Sequence, residues 1–179
     1  MLTPLKYVLI TPARDEAEHI EGTIQSVIKQ TVRPIKWVIV SDGSTDGTDD
    51  IVRKYTLDNP WIELVRAPER RERHFAGKVH AFNAGYARLN ELEYAAIGNL
   101  DADISFDEDY FSFLLGKLVD DPKLGLVGTP FRDVSSAVYD YRFTNWPERR
   151  AQSDWWHRRL LGGYFPAVGR KPVGENEPP

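Results

Sequence analysis

The stretch Trp37-Val38-Ile39-Val40-Ser41-Asp42-Gly43-Ser44-Thr45-Asp46-Gly47-Thr48-Asp49-Asp50-Ile51-Val52 decides the fold. It opens on an apolar, β-branched run without polar alternation, the pattern of a strand covered on both faces. Two glycines and a row of small polar residues then break the run. Thr45 or Asp46 is placed to cap a helix carrying Ile51, Val52 and Tyr55, with Asp49 and Asp50 in a first turn that favours carboxylates. Strand passes directly into helix.

The same change of period recurs on either side. Apolar runs stand at Tyr7–Ile10, Ile62–Val65, Tyr94–Leu100 and Leu124–Val127. Ile20, Ile24, Val27 and Ile28 fall on one helical stripe. Further helices are expected from about Lys78 to Leu89, and from Asp107 through Tyr110, Phe111, Leu114 and Leu118 to Pro122. Alternation of this kind predicts an α/β fold: βαβ units with right-handed crossovers and a mostly parallel sheet with helices on both faces. Such sheets bind ligands beyond the carboxyl ends of their strands.

Composition narrows the function. The chain has 179 residues, 27 acidic against 23 basic side chains, and a net charge of -4. That length favours one domain. The acidic balance argues against a nucleic-acid partner. No apolar run reaches the roughly 18 residues needed for a transmembrane helix, and the start reads as a strand, not a signal peptide. With no cysteine there is no thiolate zinc site and no Cys nucleophile. A cytoplasmic location, or the cytoplasmic face of a membrane, is expected. Charge is uneven: residues 1–141 hold 23 acidic and 16 basic side chains, residues 142–179 hold 4 and 7.

The strand ends carry the polar clusters. The first run leads into Thr11-Pro12-Ala13-Arg14-Asp15-Glu16, which reads either as an ordinary strand-to-helix turn or as backbone N–H groups and Arg14 facing an anion. The second ends at Asp42, where a carboxylate can accept hydrogen bonds from a base or a ribose. Asp42-x-Ser44-x-Asp46-Gly47 imitates a calcium loop, but Arg53 stands where a bidentate Glu is required. Arg66–His74 is a mixed-charge loop leading into Gly77-Lys78, which Val79 and the missing upstream glycine exclude as a phosphate P-loop. Asn99-Leu100-Asp101-Ala102-Asp103 is the most informative cluster. In a strand, residues i and i+2 point the same way, so Asp101 and Asp103 are expected to project together. Their mutual repulsion calls for a counter-charge, which Mg²⁺ or Mn²⁺ supplies when it binds carboxylates together with substrate phosphates. The ordinary alternative is an exposed acidic turn continuing through Asp107, Glu108 and Asp109.

Taken together, Pro12-Ala13-Arg14-Asp15-Glu16, Ser41 to Thr48, Gly77-Lys78-x-x-Ala81-x-Asn83-Ala84-Gly85 and Asp101-Ala102-Asp103 resemble, in order and spacing, the family 2 glycosyltransferases over roughly residues 5–133. The resemblance implies the Rossmann-like GT-A fold and a donor domain at 1–141. It implies transfer of a sugar from a nucleoside-diphosphate sugar, UDP- or GDP-linked, to an acceptor hydroxyl with inversion, assisted by Mn²⁺ or Mg²⁺. Pro12, Ala13, Arg14, Glu16 and Asp42 would hold the base and ribose, Lys78 would lie along the nucleotide, Asp101 would lie near the ribose, and Asp103 would meet the metal. Asp15 stands where many relatives have Asn.

Residues 142–179 depart from the family pattern. The segment is basic and Trp-rich, Gly162-Gly163-Tyr164 faintly echoes an acceptor-side turn, and Glu175 or Glu177 are the candidates for a catalytic base. This segment is expected to be an incomplete acceptor side, truncated or frame-altered, with Trp146, Trp155 and Trp156 poorly buried. The acceptor itself, whether glycan, lipid or small molecule, is open. So are two other readings: a non-catalytic nucleotide-binding remnant, and a nucleotidyltransferase.

Overall fold

The computed structural model describes residues 5–67, 75–129 and 167–171. Strands β1 (Tyr7–Ala13), β2 (Lys36–Asp42), β3 (Ile62–Ala67), β4 (Ala96–Asn99), β5 (Leu126–Gly128) and β6 (Ala167–Arg170) alternate with helices α1 (Ile20–Ile28), α2 (Thr48–Asp58), α3 (Phe75–Ala87) and α4 (Tyr110–Asp120), except that β6 follows β5. They form one sheet in the order β3-β2-β1-β4-β6-β5. β1 pairs in parallel with β2 and β4, and β2 with β3. β6 runs antiparallel between β4 and β5. The expected mostly parallel α/β sheet is therefore present.

Helices cover both faces because strand residues alternate between two apolar clusters. Val8, Ile10, Val38, Val40 and Ile97 meet Ala81 of α3 and Leu89 just beyond its end. Tyr7, Leu9, Trp37, Ile39 and Ala96 meet Ile20, Ile24 and Val27 of α1, Val52 of α2 and Phe111, Leu114 and Leu118 of α4. Each fully buried side chain of the size of Leu114 or Phe111 contributes about 1.5–3 kcal/mol. Gly85 lets α3 lie close: a Cβ there would sit 2.8 Å from Ile10 Cγ2 and 3.1 Å from Val40 Cγ2. Buried polar ends are paired, with Trp37 Nε1 donating to Thr11 Oγ1 at 2.9 Å and the Tyr7 hydroxyl to the Val32 carbonyl at 2.7 Å.

The structure corrects the sequence reading in four places. Helix α2 is preceded by Gly47 at φ 99°, without a side-chain cap at that position. Asp46 instead accepts the Thr48 N–H at 3.0 Å. Helix α4 starts at Tyr110, not Asp107, because Gln30 engages the Asp107 carbonyl at 2.7 Å and the Phe111 N–H at 3.0 Å. Helix α3 starts earlier than expected, at Phe75. Strand β4 ends at Asn99, so Asp101 and Asp103 belong to a turn and not to consecutive same-face strand positions.

Strand β6 comes from the 142–179 segment. Val168 is fully buried, paired with Gly98 on one side and Val127 on the other. The Arg170 guanidinium donates to the Leu124 carbonyl at 3.0 Å and to that of Leu118. Part of the basic segment is thus integral to the sheet. Glu175, Glu177, Gly162–Tyr164, residues 68–74 and the three late tryptophans lie outside the described residues. Among the described residues no helix is long and apolar enough to cross a membrane.

Candidate functional site

Register places the polar clusters at one edge. Ala13 stands beside Ser41, Asp42 beside Ala67 and Ile10 beside Asn99, all in parallel pairs. The carboxyl ends of β1, β2 and β4 therefore share one edge, and Asp42 and Asp101 lie there together. Strand order reverses between β1 and β4, since β2 and β3 extend one way and β4 the other. Crevices at such switch points bind ligands in open α/β sheets.

Alternation sets the face. Val38 and Val40 point toward α3, so Asp42 does too; Ile97 does, so Asn99 follows. The first turn of α3 closes on this edge. A Cβ at Gly77 would lie 2.7 Å from Asp42 Oδ2, so only glycine leaves that carboxylate in place. Lys78 Nζ lies 2.5 Å from Asp101 Oδ1. Arg14 Nη1 stands 3.9 Å from Asp42 Oδ2, and the two side chains are 21% and 8% exposed, shielded enough to feel each other. The structure thus brings together Arg14, Asp42, Lys78 and Asp101, with Pro12 half-buried and Ala13 buried at the end of β1.

The turn after β1 does not present free N–H groups to an anion. The Asp15 N–H donates to Ser44 Oγ at 3.1 Å, Glu16 N–H to Thr48 Oγ1 at 2.8 Å and Ala17 N–H to Asp46 Oδ2 at 2.8 Å. In return Asp15, at φ 56°, accepts the Thr45 N–H at 2.9 Å. Side chains of the glycine-rich loop thus join the β1–α1 and β2–α2 connections. Burial raises the Asp46 pKa, but hydrogen bonds from the Thr48 hydroxyl and the Ala17 and Thr48 N–H groups together hold it below the ordinary carboxylate value. The Arg14 side chain lies beside the carboxylates of Asp42 and Asp15. Glu16 contributes its backbone to the junction.

Two features escaped the sequence reading. Asn99 is 5% exposed, and its Oδ1 is buried with no hydrogen-bond partner among the described residues. A buried orphan acceptor costs roughly 1–3 kcal/mol, and such groups usually have a reason. The other feature is a polar row along α1 and the turn that follows it. Thr23, Ser26 and Gln30 bind backbone groups of residues 102–111. Their helical spacing was visible beside the apolar stripe, although nothing local announced their partners.

No group of three or more His, Asp or Glu side chains among the described residues forms a metal cage. The D-x-D pair offers two carboxylates, Asp101 engaged by Lys78 and Asp103 exposed. This suits a hard divalent cation that takes one or two carboxylates and completes its shell with phosphate oxygens and water. It does not suit zinc.

Comparison with known proteins agrees with this fold. The profile of the family described as "Glycosyl transferase family 2" matches residues 8–172. The poly-beta-1,6-N-acetyl-D-glucosamine synthase of Staphylococcus aureus is 32% identical over 126 residues, which is 69% of this chain and 28% of that protein. The chondroitin synthase of Pasteurella multocida is 30% identical over 149 residues, 81% of this chain and 14% of that one. The chain thus spans less than a third of either relative. Among solved structures, the Pyrobaculum calidifontis mannosyltransferase in complex with GDP-Man and Mn2+ is similar with a TM-score of 0.60 at 27% identity, over 73% of this chain and 37% of that one. S. aureus TarS 1-349 in complex with UDP shares the fold with a TM-score of 0.61 at 19% identity, over 79% of this chain and 40% of that one.

Proposed function

The chain belongs to glycosyl transferase family 2, and from that premise we propose that it binds a nucleoside-diphosphate sugar at the β1/β2/β4 edge and takes part in transferring the sugar to an acceptor hydroxyl. The observation that carries the reading is the convergence of Arg14, Asp42, Lys78 and Asp101 on the strand-order reversal. A dinucleotide-sized polar ligand needs acceptors for base and ribose, and cations for its diphosphate. This edge supplies both.

Asp42 accepts hydrogen bonds from the nucleoside, held in place by Arg14 and by the absence of a side chain at Gly77. Lys78 is released from Asp101 to the diphosphate as the ligand arrives, and Asp101 turns to the ribose. Asp103, with Asp101 near it, would hold Mn²⁺ or Mg²⁺, whose contribution there is to neutralise charge on the departing nucleoside diphosphate. The similar mannosyltransferase was crystallised with GDP-Man and Mn2+, which supports a divalent cation and a nucleotide sugar. In the reaction the acceptor oxygen bonds to the anomeric carbon as the carbon–phosphate-oxygen bond breaks on the opposite face, inverting the centre. The hydroxyl proton passes to a carboxylate base, for which Glu175 and Glu177 are the candidates.

One assay separates this reading from its rivals. With Mn²⁺ and either GDP-mannose or UDP-GlcNAc, in the presence of β-1,6-linked GlcNAc oligomers among the acceptors, a transferase releases nucleoside diphosphate and extends an acceptor. Release of pyrophosphate from a nucleoside triphosphate and a sugar phosphate identifies a nucleotidyltransferase instead. Tight nucleotide binding with no turnover of any donor identifies a binding remnant.

Gly77 offers a test that removes no charge. Gly77→Ala is expected to push the Asp42 carboxylate aside while leaving unfolding free energy within about 1 kcal/mol of wild type, since alanine is the better helix former. Guanosine and uridine affinity should nevertheless fall roughly tenfold, as misplacement of a binding group commonly costs. Equal affinity in parallel titrations counts against the role of Asp42.

A further inference from the structure

We infer that Thr23 is the positioning residue of the D-x-D turn: its buried hydroxyl fixes both peptide units that flank Asp103, and so sets where that carboxylate stands. Thr23 is 1% exposed in the middle of α1. Its Oγ1 lies 2.8 Å from the Ala102 carbonyl and 2.8 Å from the Ile104 carbonyl, and accepts the Ile104 N–H at 3.2 Å. The Ala102 carbonyl belongs to the peptide before Asp103, and the Ile104 N–H to the peptide after it. One hydroxyl, as donor and as acceptor, therefore holds the backbone on both sides of one residue.

The arrangement is particular to this place. A helical threonine usually hydrogen-bonds back to a carbonyl of its own preceding turn. Here the hydroxyl reaches instead to a segment 79 to 81 residues away in sequence. Ala102, the small residue between the two aspartates, is 4% exposed, so the turn is anchored at its centre while Asp103 stays exposed. Ser26 and the turn after α1 continue the attachment. Phe106 N–H reaches Ser26 Oγ at 3.5 Å, and Thr31 N–H donates to the Glu108 carbonyl at 2.8 Å. The other end of α1 is joined to the Asp42 loop through Glu16 and Ala17. Helix α1 is thus the part that holds the D-x-D turn in register with the glycine-rich loop, and Thr23 is its contact with the turn itself.

The functional half of this inference rests on the donor-site reading above, so the test has two arms. Thr23→Val keeps the shape and removes the hydroxyl, Thr23→Ala removes it without the second methyl, and Thr23→Ser restores it. In hydrogen exchange, the Ile104 amide of the valine and alanine variants should exchange at least roughly tenfold faster relative to the β1 amides, and that of the serine variant should not. In calorimetry with GDP, the Mn²⁺-dependent part of the affinity should fall roughly 10- to 100-fold in the valine and alanine variants, the range typical of disturbing a shell that orients metal ligands. Affinity for GDP without metal should stay within about twofold of wild type, and serine should recover both. Wild-type exchange at Ile104 in both hydroxyl-free variants overturns the inference. So does faster exchange accompanied by full Mn²⁺ dependence. A wild-type protein with no Mn²⁺ effect at all overturns the donor-site reading, and the exchange arm then decides alone whether Thr23 holds the turn.

Discussion

Asp42→Ala should weaken binding of free guanosine or uridine roughly 10- to 150-fold, with or without metal, the range that follows from losing a hydrogen bond of about 1.5–3 kcal/mol to a charged group. The residue is suited to this. It is 6% exposed at the last position of β2, faces α3, and has Arg14 beside it. A carboxylate so placed is expensive to bury without purpose, and its position at the sheet's switch point gives it one. Asp42→Asn retains the shape and one acceptor oxygen, so it should fall between alanine and wild type. Denaturant unfolding of the three proteins separates loss of the site from loss of the fold.

Asp103→Ala should have the complementary effect. Affinity for GDP or UDP in the presence of Mn²⁺ should drop to the value found with a chelator, at least the roughly 10- to 100-fold that disturbing a metal site costs. Metal-free affinity should not move. Asp103 is exposed, and no ion pair is found for it among the described residues, so the fold has little to lose; substitutions of this kind stay within about 0.5 kcal/mol. Asp101→Ala is a less clean experiment because it also strips Lys78 of its partner. The two aspartates of the motif thus separate into one held by the protein and one facing out.

Most of the fold was legible because its signals are local. The runs at Tyr7, Trp37 and Tyr94 give strands buried on both faces, the run at Ile62 gives the half-buried edge strand β3, and period alone reveals them. Boundaries drifted wherever a distant side chain captured a backbone group. Gln30 delays α4 by taking the Asp107 carbonyl, and Thr23 takes Ala102 and Ile104 out of any continuation of β4. Strand β6 was illegible for a different reason. Ala167-Val168-Gly169-Arg170 has one large apolar residue and no period, and only the gap between β4 and β5 makes it a strand.

The site was legible as residue types and not as connections. Asp42, Lys78 and Asp101 were identified through their motifs, and register brings them to one edge. That Gly77 makes room for Asp42 and that Lys78 pairs with Asp101 depend on how α3 lies across the sheet, which Gly85 permits. The N–H groups expected to face an anion were instead satisfied by Ser44, Asp46 and Thr48, side chains that sequence alone assigns to a turn. Asn99 and Thr23 are ordinary letters in ordinary elements; only their partners, or the lack of one, distinguish them.

Titration calorimetry of GDP and UDP into wild type, Asp42→Ala and Asp103→Ala, each with Mn²⁺ and with chelator, decides whether the β1/β2/β4 edge is a metal-assisted nucleoside-diphosphate site. Wild type should bind at least one nucleotide more tightly with Mn²⁺, Asp103→Ala should lose only this increment, and Asp42→Ala should weaken binding in both conditions alike. Asp103→Ala binding as tightly as wild type with Mn²⁺ present would rule such a site out.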